Sequence, residues 1–81
     1  MDIQLYRKYL NQFVRESIIR SDGTVSSIRE ELDSIQVSGF FLRHKMEKKR
    51  AIKDARQAFE EHRHWPLEII LSHLGVEAPE Q

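Results

Sequence analysis

Apolar residues recur at intervals of three and four along most of the chain, and nowhere do they alternate with polar ones. Ile3, Tyr6, Leu10, Phe13, Val14 and Ile18 form one stripe, which is the signature of an amphipathic helix and predicts helix one from Asp2 to Arg20. Asp2 suits the positive end of the helix dipole and Arg20 the negative end. Ser21, Asp22 and Gly23 end the helix, because an Asp-Gly step accommodates left-handed backbone. A shorter pattern of Ile28, Leu32 and Ile35 predicts helix two over residues 26–35. Thr24, Ser26 and Ser27 are each available as its N-cap, and Ser27 with Glu30 has the spacing of a capping box.

Helix three opens at Ser38, a favourable N-cap residue. No proline or glycine interrupts the chain between Phe40 and Trp65, so the pattern continues to about Arg63. A helix of that length is ~39 Å long, whereas a compact chain of 81 residues is only ~30 Å across. It therefore breaks or projects. Helix four runs from Pro66 to Leu74, with proline in the first turn, Gly75 as the C-terminal cap, and Leu67, Ile70, Leu71 and Leu74 as its apolar face. The expected architecture is all-α: a small bundle of about four helices in one domain, residues 1–76, followed by a flexible tail, residues 77–81.

Composition narrows the class of protein. With 40% apolar and 32% charged residues, the chain falls among soluble helical proteins and outside the disordered range. It has no cysteine, hence no disulfide and no thiolate metal site, which fits a reducing compartment. No apolar run approaches the ~20 residues needed to span a bilayer. Residues 1–10 lack the basic and apolar regions of a secretion signal. A cytoplasmic location without a membrane partner is expected. A domain this small buries only roughly 60% of its unfolded surface, and association into a homodimer is a common remedy.

Charge changes the picture more. The formal net charge is zero, yet seven of the thirteen Lys and Arg residues (Arg43, Lys45, Lys48, Lys49, Arg50, Lys53 and Arg56) crowd into positions 43–56. Only Glu47 and Asp54 oppose them there. After Arg56 come one cation, Arg63, and five acids. Because salt screens charges beyond about 8 Å at physiological ionic strength, such a patch acts locally on a neutral protein. Lys45, Lys49, Lys53 and Arg56 fall on one side of a helix, spaced to follow a row of phosphates.

Ile28 and Leu32 four apart, a Val37-Ser38 step, then Leu42 and Met46 four and eight positions after the serine resemble the helix-turn-helix DNA-binding domain over residues 24–50, although the turn is longer than the family's common form. The resemblance implies that helices two and three form the motif and that double-stranded DNA is the partner. It also implies a small regulatory protein of phage, plasmid or bacterial type, a transcriptional regulator acting as a dimer. Backbone amides at Ser38 and Gly39 would then meet phosphate. Arg43, Lys45, Lys49, Arg50, Lys53 and Arg56 would contact the groove and backbone.

A different class of function fits the same residues. Phe40, Phe41, Ala51, Ile52, Ala55, Ala58 and Phe59 share one side of helix three, while Leu42 and Met46 lie nearly opposite. A helix with two apolar faces can be sandwiched between helix two and either helix four or a second subunit. In that alternative the protein is a helical interaction module, an adaptor or inhibitor of a larger complex, with Phe40, Phe41, Phe59, Trp65 and Leu71 at the interface.

The remaining chemistry is sparse. His62 and His64 flank Arg63, but residues two apart on a helix diverge by about 200°, and no second cluster has metal-ligand spacing. Neither metal nor cofactor is expected. With no cysteine nucleophile, glycine-rich phosphate loop or calcium-loop ligand pattern, the chain is not expected to be an enzyme.

Overall fold

Each helix begins and ends for a reason that can be read from a few side chains. A computed structural model describes residues 1–36 and 43–79. Among these the chain forms four α-helices and no strand: α1 Ile3–Arg20, α2 Val25–Ser34, α3 Lys45–Glu61 and α4 Leu67–Leu74. This is a small all-α bundle. No helix among the described residues is long and apolar enough to cross a membrane.

At the start of α1 the Asp2 carboxylate accepts from the amides of Gln4 and Leu5 at 2.9 and 3.2 Å, satisfying donors that have no partner within the helix. The turn after it is held by a chain of short hydrogen bonds. Asp22 accepts from the amide and hydroxyl of Thr24 at 2.9 and 2.7 Å, and Thr24 Oγ1 accepts from the Ser27 amide at 3.1 Å. The Asp22 amide in turn donates to Ser27 Oγ at 3.2 Å. Thr24, one of the three residues available for the role, is therefore the cap, three residues before the start that a Ser27–Glu30 capping box would give. Donation from Thr24 holds the Asp22 carboxyl below the usual carboxylate range.

Gly75 closes α4 in the left-handed region, at φ 71°. The Val76 amide donates to Leu71 O at 2.9 Å and the Gly75 amide to Ser72 O at 3.1 Å, the paired bonds of a Schellman end. Val76 is consequently turned into the core. The tail beyond it runs back against α1, where the Glu77 amide faces Asn11 Oδ1 at 3.4 Å and Ala78 and Pro79 share a shallow groove with Ile18, Ile19 and Leu67.

The largest departure from the sequence pattern is in α3. His44 adopts left-handed backbone, φ 56° and ψ 38°, which costs a residue with a Cβ about 1–2 kcal/mol and cannot continue a right-handed helix. The helix accordingly begins at Lys45 rather than Ser38, and it ends at Glu61, where the Arg63 side chain donates to Glu60 O at 3.1 Å. Its 17 residues span ~26 Å, which fits inside a molecule measuring 32 × 26 × 22 Å. Nothing projects. The expected cap Ser38, and with it Val37, Gly39, Phe40, Phe41 and Leu42, lies outside the described residues.

The core forms where α3 crosses α1 and α2. It joins Leu10, Phe13 and Val14 of α1, Ile28 and Leu32 of α2, and Ile52 and Phe59 of α3, with Ile70 and Leu71 of α4 closing one end. Ala51, Ala55 and Ala58, also buried, give α3 a shallow face that lets it approach α1 closely. Ile3, expected on the buried stripe, is instead 60% exposed.

Candidate nucleic-acid interface

The core face of α3 fixes which residues point away from it. Rotating half a turn from Ala51, Ala55 and Ala58 brings Lys45, Met46, Lys49, Arg50 and Lys53 to the outside; Met46 is 65% exposed and the surface around it is basic. The sequence pattern has Met46 pinning α3 onto α2. It does not: its side chain lies on the surface, and α3 meets α2 further along, where Arg56 bonds the carbonyls of Leu32 and Ile35 and Glu60 pairs with Arg29 at 3.5 Å.

The cations of residues 43–56 divide into two groups. Arg56 belongs to the fold. Its Nε donates to Leu32 O at 2.9 Å, its Nη2 donates to the carbonyls of Asp33 and Ile35, and the Asp33 carboxylate stands 3.9 Å away. The guanidinium thus caps the carbonyl end of α2, where a cation is also favoured by the helix dipole. It is not available to a partner as the sequence suggests.

Arg50 is also engaged. It pairs with Asp54 at 3.2 Å, and the Tyr6 hydroxyl donates to the same carboxylate. Burial of the phenol, reinforced by its hydrogen bond to Asp54, pushes the Tyr6 pKa up from 10 to about 12. Lys48 leans inward, its ammonium 5.1 Å above the Tyr9 ring, a cation–π contact. The His44 ring rests on the same tyrosine, with centroids 6.0 Å apart.

Arg43, Lys45, Lys49 and Lys53 make up the second group. All are exposed, and no ion pair or hydrogen bond joins their side chains to any described residue. Lys45, Lys49 and Lys53 follow one another by four residues, a rise of ~6 Å per step. Glu47, the only acid in the first turn of α3, is drawn aside: its carboxylate accepts from the Asp2 amide at 2.8 Å, and that bond holds its carboxyl below the usual range.

This arrangement opposes what would stabilise the helix. Lys45 and Lys48 stand at the positive end of the α3 dipole, and Glu60 and Glu61 at the negative end, with no basic residue in the last turn. Each misplaced charge costs about 0.3–1 kcal/mol. The like-charged pairs Lys45–Lys49 and Lys49–Lys53 add a few tenths of a kcal/mol of repulsion each. Lys48 is offset by its contact with the Tyr9 ring, whereas Lys45, Lys49 and Lys53 have no compensating partner among the described residues.

The residues considered for a protein interface are distributed differently. Phe59 is fully buried and Leu71 is 3% exposed, so both are core of this chain and offer no surface to a partner. Trp65 is 38% exposed. It stacks on His62 at 3.7 Å between centroids and meets the edge of His73 at 5.7 Å, sealing the turn between α3 and α4. Phe40 and Phe41 are not among the described residues.

Among the described residues, no group of three or more His, Asp or Glu is placed to hold a metal ion. The exposed apolar residues Ile19 and Ile69, 70% and 51% exposed, are the ones that fall off the apolar stripes of α1 and α4. No family model matches the chain, and neither a curated protein nor a solved structure matches it.

Proposed function

We propose that this protein is a small DNA-binding regulatory protein that holds duplex DNA on the outward face of α3. One observation carries the reading: Lys45, Lys49 and Lys53 form a row of exposed cations, without a partner among the described residues, that starts at the end of the helix where cations are unfavourable. A duplex presents a dense line of negative charge, and neutralising its phosphates releases condensed counterions, which gives basic surfaces a large affinity that is lost as salt rises. The helix-turn-helix resemblance in residues 24–50 points to the same partner. A dimer would present two such faces, and successive major grooves lie about 34 Å apart.

The test compares the wild-type chain with Lys45→Ala/Lys49→Ala/Lys53→Ala by fluorescence anisotropy on a labelled duplex at low salt. Micromolar binding by the wild type, lost in the folded triple variant and unaffected by Lys8→Ala on α1, is expected. Equal binding by wild type and triple variant would overturn the assignment to α3.

A second reading, a protein-binding module, is favoured by Ile19 beside the groove lined by Ile18, Leu67, Ala78 and Pro79. Ile19→Asp separates the two. It leaves DNA binding intact under the first reading and removes association with a protein partner under the second.

A further inference from the structure

The type of donor that α3 turns outward decides what kind of contact it makes with a duplex, given the DNA-binding reading on which this inference rests. Sequence readout in the major groove depends on planar side chains with several donors or acceptors, Arg against guanine and Asn or Gln against adenine. On α3 every such side chain is already engaged within the molecule. Arg56 caps α2. Arg50 is held by Asp54. Gln57 donates through Nε2 to Glu61 at 2.8 Å. The outward cations of α3 without a partner among the described residues are all lysines, and a lysine is a compact charge on a flexible stem that meets a phosphate oxygen without directional demand. Met46 among the lysines brings no hydrogen bond, and the acids Glu60 and Glu61 at the far end repel phosphate.

We propose that α3 binds duplex nucleic acid through its phosphate backbone alone, without reading bases, over the short stretch from Lys45 to Lys53. The contact is ~12 Å long and lies across a backbone ridge. With Arg43 immediately before the helix, about four cations take part. A slope near −0.9 per neutralised phosphate then gives log K against log salt of roughly −3 to −4, or about a hundredfold loss of affinity between 50 and 200 mM salt. Such a protein coats or bends DNA, or is directed to its site by another component, rather than selecting an operator by itself.

The experiment titrates the full-length chain into three labelled 20-base-pair duplexes, one A·T-rich, one G·C-rich and one mixed, at several salt concentrations. Vesicles containing phosphatidylserine serve as a separate probe. Expected are affinities that agree within about threefold across the duplexes, with one common salt slope. Lys45→Ala, Lys49→Ala and Lys53→Ala should each weaken all three complexes alike and reduce the slope by about one, while Lys8→Ala on α1 leaves them unchanged. A preference of tenfold or more for one duplex, or its loss in Arg43→Lys, overturns backbone-only binding and leaves the DNA-binding reading standing. No binding to any duplex at low salt by a chain that is helical in circular dichroism overturns both. Tighter binding to the vesicles than to any duplex assigns the face to anionic lipid and likewise overturns both.

Discussion

Arg56 shows how little a side chain's type says about its job. In the sequence it is the last member of a basic row. In the molecule it reaches more than twenty residues back to the carbonyl end of α2. Its role is not legible in the sequence because it depends on how α2 and α3 pack, whereas the common outward face of Lys45, Lys49 and Lys53 follows from helix periodicity alone. Arg56→Ala should destabilise the chain by about 1–3 kcal/mol, the cost of leaving carbonyls without a donor, as measured by urea denaturation. The same substitution should leave the salt dependence of DNA binding unchanged. Tyr6 gives a pH test at the same scale. The folded chain holds the phenolic proton more tightly than the unfolded chain, whose tyrosines titrate near 10. The stability linked to it is complete below about pH 10 and is lost as pH rises toward its folded value of about 12. Tyr6→Phe should flatten unfolding free energy against pH across that window.

At the scale of elements, α1, α2 and α4 are legible in the sequence to within a residue or two, because capping residues, Asp-Gly and Gly75 mark their ends chemically. The start of α3 is not. Left-handed backbone is normally signalled by glycine or asparagine, and here it falls on His44, in a stretch with no breaker. The charge order of α3 yields its own prediction. Lys45→Glu places an acid at the positive end of the dipole and should stabilise the helix by about 0.3–1 kcal/mol, while weakening DNA binding. A gain in melting temperature joined to a loss of affinity would show that the lysine is retained for function, and equal or tighter binding would contradict the assigned face. Phe59 tests the core. Phe59→Ala should cost about 3–5 kcal/mol, enough to unfold a domain of this size, with loss of the helical circular dichroism signal rather than selective loss of a partner.

For the whole molecule, zero net charge hides a strong asymmetry, with basic residues gathered at 43–56 and acids dominating after Arg56. Near neutral pH the positive end of one molecule attracts the negative end of the next, so solubility should be lowest around pH 7 and should rise when salt goes from 10 to 150 mM. Light scattering across that range checks it; scattering independent of salt would mean that the asymmetry has no long-range effect. The all-α class is legible because periodicity alone excludes strands. The assignment of surface is less legible, since periodicity puts Phe59 and Leu71 on apolar faces but does not say whether this chain or a partner covers them, and here the chain's own core does. The chain has a single tryptophan, and Trp65 lies flat against His62 at the turn between α3 and α4. An imidazole stacked on an indole quenches its emission, and separating the two rings relieves the quenching. This protein therefore has a built-in optical probe. Its fluorescence should follow the state of that turn through a pH or denaturant series, while DNA bound at the opposite end of α3 leaves the signal unchanged, so folding and binding can be observed separately in one cuvette.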